Sequence, residues 1–220
     1  MNPQNVLAMV QETGVMAGMR GDFPPQTALR VTEVLMNAGF KAFELTMTSP
    51  DPIEAMQAVK RACGDDAAVG MGTILDVETA KRVLDAGADF VVSPAFQPQV
   101  VQTVLDAGRF IAPGVITPSE CVAAWDMGVP LLKLFPVGGI SVDYFKAIKG
   151  PLAHMRFQAN GAINAENTHA FISAGAVSVG IMGWLTGDGH TDLNTIRRRA
   201  ATLKNAVHMA RTGRPMPRTV

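Results

Sequence analysis

Two charged residues lie in stretches of sequence that are otherwise apolar. Lys133 is part of the run LLKLFP (131–136), and Glu44 is part of AFELTM (42–47). A lysine in an apolar strand must reach water, find a partner or lose its proton. Burial can lower a lysine pKa by up to about 3–5 units from ~10.4, and a free amine can attack a carbonyl to form a Schiff base. The sequence therefore predicts an amine nucleophile at Lys133, and a strand-end lysine that reaches solvent is the alternative.

Glu44 could carry protons for such a nucleophile. Side chains alternate along a strand, so Glu44 shares one face with Thr46 and Thr48. If the second and sixth strands face each other across a closed barrel, Glu44 and Lys133 converge on one substrate, with the carboxyl as a general acid and base. A buried ion pair of Glu44 with Lys133 or Arg20 is a second interpretation, and the two are compatible.

Arg20 and Thr73 are candidates for binding an anion. Arg20 ends the apolar run 15–19, and a planar guanidinium binds a carboxylate through two hydrogen bonds. Thr73 follows Gly-Met-Gly and adds a hydroxyl and loop amides. A surface ion pair is the alternative for Arg20. No metal site is expected, because the four histidines lie on predicted helices or outer loops without metal-ligand spacing: His154, His169, His190 and His208.

Seven glycines recur at steps of 20 to 25 residues, and each stands between an amphipathic stretch and a short apolar run: Gly39, Gly64, Gly87, Gly108, Gly128, Gly150 and Gly175. A glycine just past a helix adopts the left-handed conformation that ends it. The apolar runs predict eight strands, over 14–19, 42–47, 68–73, 90–94, 110–115, 131–136, 155–158 and 177–181. This repeat indicates an α/β chain folded as a (β/α)8 TIM barrel, one domain over 1–220. A doubly wound open sheet is the alternative, but it would need a reversal of strand order.

Helices are predicted between these strands, over 52–62, 77–85, 98–106, 119–126 and 165–173, with N-caps at Asp76, Thr117 and Asn164. In such barrels the chemistry lies at the carboxyl ends of the strands.

The composition narrows the class of protein. Lys plus Arg and Asp plus Glu both number 19, so there is no electrostatic case for nucleic acid or an anionic membrane. No apolar stretch approaches the ~20 residues that span a bilayer, and no signal peptide is apparent. Two cysteines indicate a reducing compartment, so a cytoplasmic protein is expected. Residues 212–220 are predicted to be a flexible C-terminal tail or a subunit contact.

Six short motifs together resemble the 2-keto-3-deoxy-6-phosphogluconate (KDPG) aldolase family, which includes 4-hydroxy-2-oxoglutarate aldolases. They are ELTMT (44–48), GMGT (70–73), VSP (92–94), PGVITP (113–118), LKLFP (132–136) and FKAIKG (145–150). The resemblance implies a (β/α)8 barrel, a homotrimer, and class I aldol chemistry on a small 2-keto acid with neither metal nor cofactor.

The same resemblance implies roles for single residues. Lys133 would form the Schiff base and Glu44 would be the acid and base. The pyruvate half of the pocket would be lined by Arg20, Thr73, Pro94 and Phe135. Thr48 is also a candidate substrate contact, at a position where some members carry arginine and others threonine.

The chain departs from the family after strands seven and eight, where barrels often bind phosphate. Asn160-Gly161-Ala162 stands where the family usually has Thr-Gly-Gly, and Met182-Gly183 where it commonly has Gly-Ser. We expect Asn160, Gly161 and Gly183 to contact substrate, with phosphate affinity weakened or lost. A tolerated variation, with Asn160 and Asn164 donating instead, is the alternative.

The expected activity is reversible cleavage of a 2-keto-3-deoxy-4-hydroxy acid, either KDPG-like or like 4-hydroxy-2-oxoglutarate, to pyruvate and an aldehyde. Two other classes stay open. A barrel isomerase or decarboxylase acting on a small phosphorylated ligand would use Lys133 as a cation and need intact phosphate loops. A non-catalytic binding barrel would lack the nucleophile or the proton carrier.

Overall fold

A computed structural model describes residues 1–216 and places every strand of that range in one parallel sheet. The strands are β1 (Val15–Met19), β2 (Ala42–Thr46), β3 (Ala68–Gly72), β4 (Phe90–Val92), β5 (Phe110–Ala112), β6 (Gly114–Val115), β7 (Leu132–Leu134), β8 (Phe157–Asn160) and β9 (Ser178–Ile181). They are ordered β5-β4-β3-β2-β1-β9-β8-β7-β6. The two edge segments, β5 and β6, are consecutive in the chain and are separated only by Pro113.

The interruption at Pro113 does not open the sheet. Proline has no N–H to donate, so regular pairing stops there, but its carbonyl still accepts a hydrogen bond from the Lys133 N–H at 2.9 Å. The segments β5 and β6 are thus one barrel strand that pairs with β4 on one side and β7 on the other. This confirms the predicted (β/α)8 barrel, and the doubly wound alternative is wrong.

The helices cover the outside of the barrel or close its ends. They are α1 (Pro3–Thr13), α2 (Pro25–Asn37), α3 (Pro52–Cys63), α4 (Val77–Asp85), α5 (Pro98–Asp106), α6 (Pro118–Asp126), α7 (Val142–Lys149), α8 (Ala165–Ser173), α9 (Gly183–Thr186) and α10 (Leu193–Arg211), with a 3-10 turn at Val137–Gly139. The three predicted N-caps are confirmed. Asp76 and Asn164 accept from the third backbone N–H of α4 and α8, and Thr117 does so in a capping box with Glu120.

Most predicted strand ends lie within one or two residues of the observed ends, and two strands differ in more than their length. The predicted strand over 110–115 is divided at Pro113, as described above. The predicted strand over 155–158 instead runs as Phe157–Asn160 and pairs with β9 as far as Asn160 and Gly180. The shift moves Asn160 from a loop to the buried end of a strand, where it is 3% exposed.

The core has two layers, as expected when strands are covered on one face and closed on the other. Phe43, Leu45 and Leu132 pack between the barrel and the outer helices. A second cluster, inside the barrel, contains Met16, Ala42, Ala68, Phe90, Val92, Phe110, Ala112 and Leu131. Val6 and Val10 of α1 belong to this inner cluster, so α1 fills the amino-terminal end of the barrel. Full burial of such a side chain contributes about 1.5–3 kcal/mol.

The end of the chain is described only in part. After α10, the carbonyl of Arg214 lies 2.8 Å from Nε2 of His169. Residues 217–220 of the predicted tail (212–220) lie outside the described residues, and the tail's flexibility stays a prediction. Within 1–216, no helix combines the length and the apolar character needed to cross a membrane.

Candidate active site

An open cavity of ≈ 430 Å³ lies at the carboxyl ends of the strands. It is lined by Arg20, Lys133, Phe135, Asn160, Gly161, Ala162, Ile163, Asn164, Gly180, Met182, Gly183 and Trp184. Six of the ten predicted site residues are in this lining: Arg20, Lys133, Phe135, Asn160, Gly161 and Gly183. The other four, Glu44, Thr48, Thr73 and Pro94, are not part of it. The open cavity therefore contains most of the predicted site residues, and four of them lie outside its lining.

Lys133 is the central residue of β7 and is only 3% exposed. Its backbone pairs with Gly114 and Gln158, and its Nζ lies 4.9 Å from the centroid of the Phe135 ring. Burial lowers the pKa of Lys133; the Glu44 carboxylate opposes this and the Arg20 guanidinium adds to it. The predicted alternative, a lysine that reaches solvent, is wrong. The arrangement favours a free amine facing the cavity, as a nucleophile needs.

Glu44 lies on β2 inside the barrel and is 1% exposed. Neither carboxyl oxygen has a hydrogen-bond partner among residues 1–216, so the predicted buried ion pair is not formed there. Burial raises the pKa of Glu44, and the positive charges of Lys133 and Arg20 oppose that rise. A carboxyl with a raised pKa in the field of an amine with a lowered pKa is suited to giving and taking protons.

Glycine at position 72 makes room for this carboxyl. A Cβ added to Gly72 on β3 would overlap Oε1 of Glu44. We did not predict this role, because the sequence of β3 does not reveal which side chain of β2 lies against it. The motif GMGT (70–73) by itself predicts only loop amides for an anion.

Arg20 and Thr73 are neighbours at the mouth of the barrel. The exposed Arg20 donates through Nη2 to Thr73 Oγ1 at 3.3 Å. No acidic side chain within 1–216 forms an ion pair with Arg20, so the surface ion pair considered above is not formed there. Thr73 has φ 63°, which is unfavourable for a β-branched residue and costs on the order of 1–3 kcal/mol. The paired guanidinium and hydroxyl are suited to a carboxylate.

Thr48 and Pro94 have less direct placements. Thr48 is exposed after β2, and its hydroxyl lies 3.1 Å from that of the buried Thr46. Pro94 is half-buried after β4, and its carbonyl occupies the space where a side chain at Gly114 would lie. Both residues lie at the carboxyl ends of strands, as predicted.

A chain of hydrogen bonds inside the barrel orients Asn160. Ser178 Oγ donates to Gln158 Oε1 at 3.1 Å, and Gln158 Nε2 donates to Asn160 Oδ1 at 2.9 Å. The Asn160 amide nitrogen points into space that is free because Gly180 has no side chain. Sequence reasoning missed Gln158 and Ser178. The signal was present, since Gln158 is a polar residue in a buried strand, as Lys133 and Glu44 are.

The loop between β8 and α8 contains the Asn-Gly-Ala that departs from the family. Ala162 has φ 54°, and its carbonyl accepts from Asn167 Nδ2 at 2.8 Å. Asn164 and Asn167 form a reciprocal cap at the start of α8, each side-chain oxygen accepting from the other's backbone N–H at 2.9 Å. The side-chain oxygen of Asn164 therefore caps the first turn of α8.

The loop after β9 carries the second departure. The Met182 side chain lies against Gly18, where a side chain on β1 would otherwise be. Trp184 follows in α9 and lines the cavity, and the Arg199 guanidinium lies 5.9 Å from the centroid of its ring. The Met182 side chain thus fills space at this end of the barrel.

Comparisons with known proteins agree with this geometry. The family model "Aldolase: KDPG and KHG aldolase" matches residues 7–199. The chain is 30% identical to 2-dehydro-3-deoxy-6-phosphogalactonate aldolase of Escherichia coli (strain K12) over 191 residues, 86% of this chain and 93% of that protein. It is 32% identical to 2-dehydro-3-deoxy-phosphogluconate aldolase of Treponema pallidum (strain Nichols) over 151 residues, 67% of this chain and 70% of that protein.

A solved structure described as native KDPGal shares the fold with a TM-score of 0.86 and 28% identity, covering 90% of this chain and 96% of that one. The family match thus includes every strand of the barrel and the buried Lys133 inside it. The chain belongs to the KDPG and KHG aldolase family.

Proposed function

We propose that this protein is a class I aldolase that reversibly cleaves a 2-keto-3-deoxy-4-hydroxy acid to pyruvate and an aldehyde. One observation carries the proposal: inside the barrel of a KDPG and KHG aldolase family member, the buried amine of Lys133 lies in the field of an equally buried carboxyl, Glu44. No observation favours the isomerase or decarboxylase alternative, which intact phosphate loops would favour, whereas the loops of this chain depart from the family pattern at Ala162 and Met182.

Lys133 supplies the covalent step. Its free amine attacks the C2 keto carbon, and loss of water gives an iminium that attracts electrons from the neighbouring C3–C4 bond. When the C4 hydroxyl loses its proton, the C3–C4 bond breaks and the aldehyde leaves. The electron pair of the broken bond moves toward the iminium and forms an enamine. Glu44, directly or through water, takes the C4 proton and later returns one to C3. Water then hydrolyses the iminium, which releases pyruvate and restores the amine.

The remaining site residues position the two halves of the substrate. Arg20 and Thr73 hold the carboxylate so that C2 stays near the amine, a contribution of proximity and orientation. Thr48, Pro94 and Phe135 complete the pyruvate half. Asn160, Gly161 and Gly183 contact the aldehyde half, where the Asn160 amide offers a donor to an oxygen of the substrate.

We further propose that the enzyme is a cytoplasmic homotrimer. The trimer rests on the family resemblance, and the compartment rests on Cys63 and Cys121, which are both buried free thiols within the described residues. Light scattering coupled to gel filtration measures the trimer directly, and a stable monomer would contradict it.

Borohydride trapping tests the Schiff base. Incubation with pyruvate and borohydride is expected to leave a reduced three-carbon adduct on Lys133, located by peptide mass spectrometry. The exposed Lys146 serves as the internal control and is expected to stay unmodified. Lys133→Met is expected to lose both the adduct and more than about 10⁴-fold in turnover. An active enzyme in which Lys133 stays unmodified would contradict the mechanism.

A further inference from the structure

Three polar side chains, Ser178, Gln158 and Asn160, are hydrogen-bonded in a row inside the barrel. Ser178 and Gln158 are fully buried, and Asn160 is 3% exposed. The Ser178 hydroxyl bonds to the Gln158 oxygen at 3.1 Å, and the Gln158 nitrogen bonds to the Asn160 oxygen at 2.9 Å. Of the three residues, Asn160 alone lines the cavity. Two buried residues therefore reach the site only through the third.

The direction of this row is fixed at Gln158. An amide has a donor nitrogen at one end and an acceptor oxygen at the other, so a turn of 180° would exchange them. The Gln158 oxygen is the one acceptor of the Ser178 hydroxyl among residues 1–216, and a turned amide would leave that hydroxyl hydrogen without an acceptor. In the observed orientation Gln158 Nε2 also lies 3.9 Å from the sulfur of Met16, a weak acceptor that would face an oxygen after the turn. Gln158 is therefore held with its nitrogen toward Asn160.

Asn160 takes its own orientation from Gln158. Because its Oδ1 accepts from Gln158, its Nδ2 points the other way, into the space left by Gly180, and it has no acceptor within the described part of the chain. Gln158 pairs in register with Lys133 on the neighbouring parallel strand, so Asn160 lies two residues, roughly 6–7 Å, nearer the mouth of the barrel than the Schiff-base lysine. An N–H donor at that height faces the part of the substrate beyond C2.

We propose that Gln158 and Ser178 are positioning residues of the aldolase, which hold the Asn160 amide nitrogen toward the cavity as a donor to an oxygen of the aldehyde half. This inference rests on the proposed function and adds two residues that do not touch the substrate. An amide that is already oriented loses little freedom when the substrate binds, so its hydrogen bond contributes more than that of a freely turning amide.

The first test replaces Gln158 by a residue of similar length that cannot donate to Asn160. Gln158→Met is expected to lower kcat/KM for cleavage about three- to tenfold, the range for a hydrogen bond between uncharged groups. Pyruvate release is measured with whichever of KDPG and 4-hydroxy-2-oxoglutarate the wild type cleaves with the higher kcat/KM. The pyruvate concentration that gives half-maximal borohydride trapping of Lys133 is expected to stay within about twofold of wild type, because pyruvate alone lacks the aldehyde half.

Gln57 provides the matched control. It is half-buried on α3, its Nε2 donates to the Ala86 carbonyl at 3.2 Å, and it is not part of the cavity lining. Gln57→Met is expected to keep kcat/KM within about twofold of wild type. Equal losses in the two glutamine variants, or wild-type kcat/KM in Gln158→Met, would overturn the inference. It would also be overturned if trapping by pyruvate weakened as much as cleavage, because Gln158 would then act on Lys133.

A double-mutant cycle tests whether Gln158 acts through Asn160. Asn160→Ala is expected to lower kcat/KM about tenfold. Once the amide is gone, the addition of Gln158→Met is expected to change kcat/KM by less than about twofold, because there is no longer a side chain to orient. A purely structural contribution of Gln158 would lower kcat/KM by the same factor in both backgrounds, and that result would contradict the positioning role.

Ser178→Ala tests the far end of the row. It removes one oxygen atom, frees the Gln158 amide to turn, and is expected to lower kcat/KM about two- to fivefold with unchanged trapping by pyruvate. If Gln158→Met does not fold, this variant replaces it in the same cycle against Asn160→Ala, and additive losses there would overturn the inference.

Trapping of the wild type separates this inference from the proposed function. If pyruvate is trapped on Lys133 and the cycle is additive, only the positioning role is wrong. If Lys133 is not trapped in active enzyme, or if the wild type cleaves neither keto acid, the proposed function fails and this inference fails with it.

Discussion

The carboxyl group of Glu44 occupies the space that a side chain at Gly72 would need. The two residues lie on adjacent parallel strands, β2 and β3, and the carboxyl has no hydrogen bond to any of residues 1–216. The shape of the site, rather than a hydrogen bond, therefore holds the proposed proton carrier beside Gly72. Gly72 has no functional group, yet its missing side chain determines where the Glu44 carboxyl lies.

Gly72→Ala is expected to displace the Glu44 carboxyl and so lower kcat about tenfold or more, because a displaced acid loses much of the contribution of general acid and base catalysis. The extra methyl group is also expected to cost about 1–3 kcal/mol of the free energy of unfolding. Steady-state kinetics and urea unfolding measure the two effects. Gly139→Ala is the control, since a Cβ there meets no atom within 4 Å. Wild-type kcat in Gly72→Ala would contradict the assigned contact.

Glu44→Gln is expected to lower kcat about 10²–10⁴-fold, the range for a lost general acid and base. Its shape is nearly unchanged, so borohydride trapping of pyruvate on Lys133 is expected to persist. This combination separates proton transfer from Schiff-base formation. Wild-type turnover in Glu44→Gln would show that another group carries the proton.

The same substitution gives a prediction for stability as a function of pH. Because burial raises the pKa of Glu44 in the folded state, the folded protein holds this proton at pH values where the unfolded chain, with a pKa of about 4.3, has released it. The stabilising effect of the protonated acid is therefore full below that value and is lost as the pH rises through the folded-state pKa. A glutamine cannot ionise, so Glu44→Gln does not lose this contribution. Its free energy of unfolding is therefore expected to increase relative to that of wild type as the pH rises. Urea unfolding from about pH 4 to pH 8 measures the difference, and an opposite slope would contradict the raised pKa.

Arg20→Met is expected to raise KM for pyruvate about 10–100-fold in the direction of synthesis, since hydrogen bonds to charged groups contribute about 1.5–3 kcal/mol. The positive charge of Arg20 also lowers the pKa of Lys133, so its removal is expected to move the acid limb of the kcat/KM profile to higher pH. Arg20→Lys keeps the charge but not the planar fork, and is expected to restore the pH profile more fully than KM. An unchanged profile in Arg20→Met would contradict the electrostatic effect of Arg20.

Thr73→Gly is expected to raise the free energy of unfolding by about 1 kcal/mol, because it relieves the positive φ at this position. It is also expected to raise KM for pyruvate, because the hydroxyl that meets Arg20 is lost. Thr73→Ala, which loses the hydroxyl but keeps the Cβ, separates the two effects. If both variants have wild-type KM, Thr73 has no part in binding the substrate.

Much of this architecture could be predicted from single strands. Lys133 and Glu44 were recognised because a charge in an apolar strand is unusual, and strand alternation correctly placed both inside the barrel. Gln158 gives the same signal, but the predicted strand ends at that residue, which leaves its buried partner Asn160 in a loop.

Contacts between strands could not be predicted in the same way. Whether the space beside Gly72 is empty or filled depends on the register of β2 against β3, which neither strand reveals alone. The mutual capping of Asn164 and Asn167 could not be predicted either, because asparagine at the third helical position is not the glutamate or glutamine of the usual capping-box pattern.

The α1 helix has a consequence for the order of events in turnover. Since Val6 and Val10 fill the amino-terminal end of the barrel, both reactants enter and depart by the opposite end. In the proposed mechanism pyruvate is joined to Lys133 and leaves after the aldehyde has gone. Turnover is then sequentially ordered, and pyruvate, as the last product released, competes directly with the incoming keto acid for the empty enzyme.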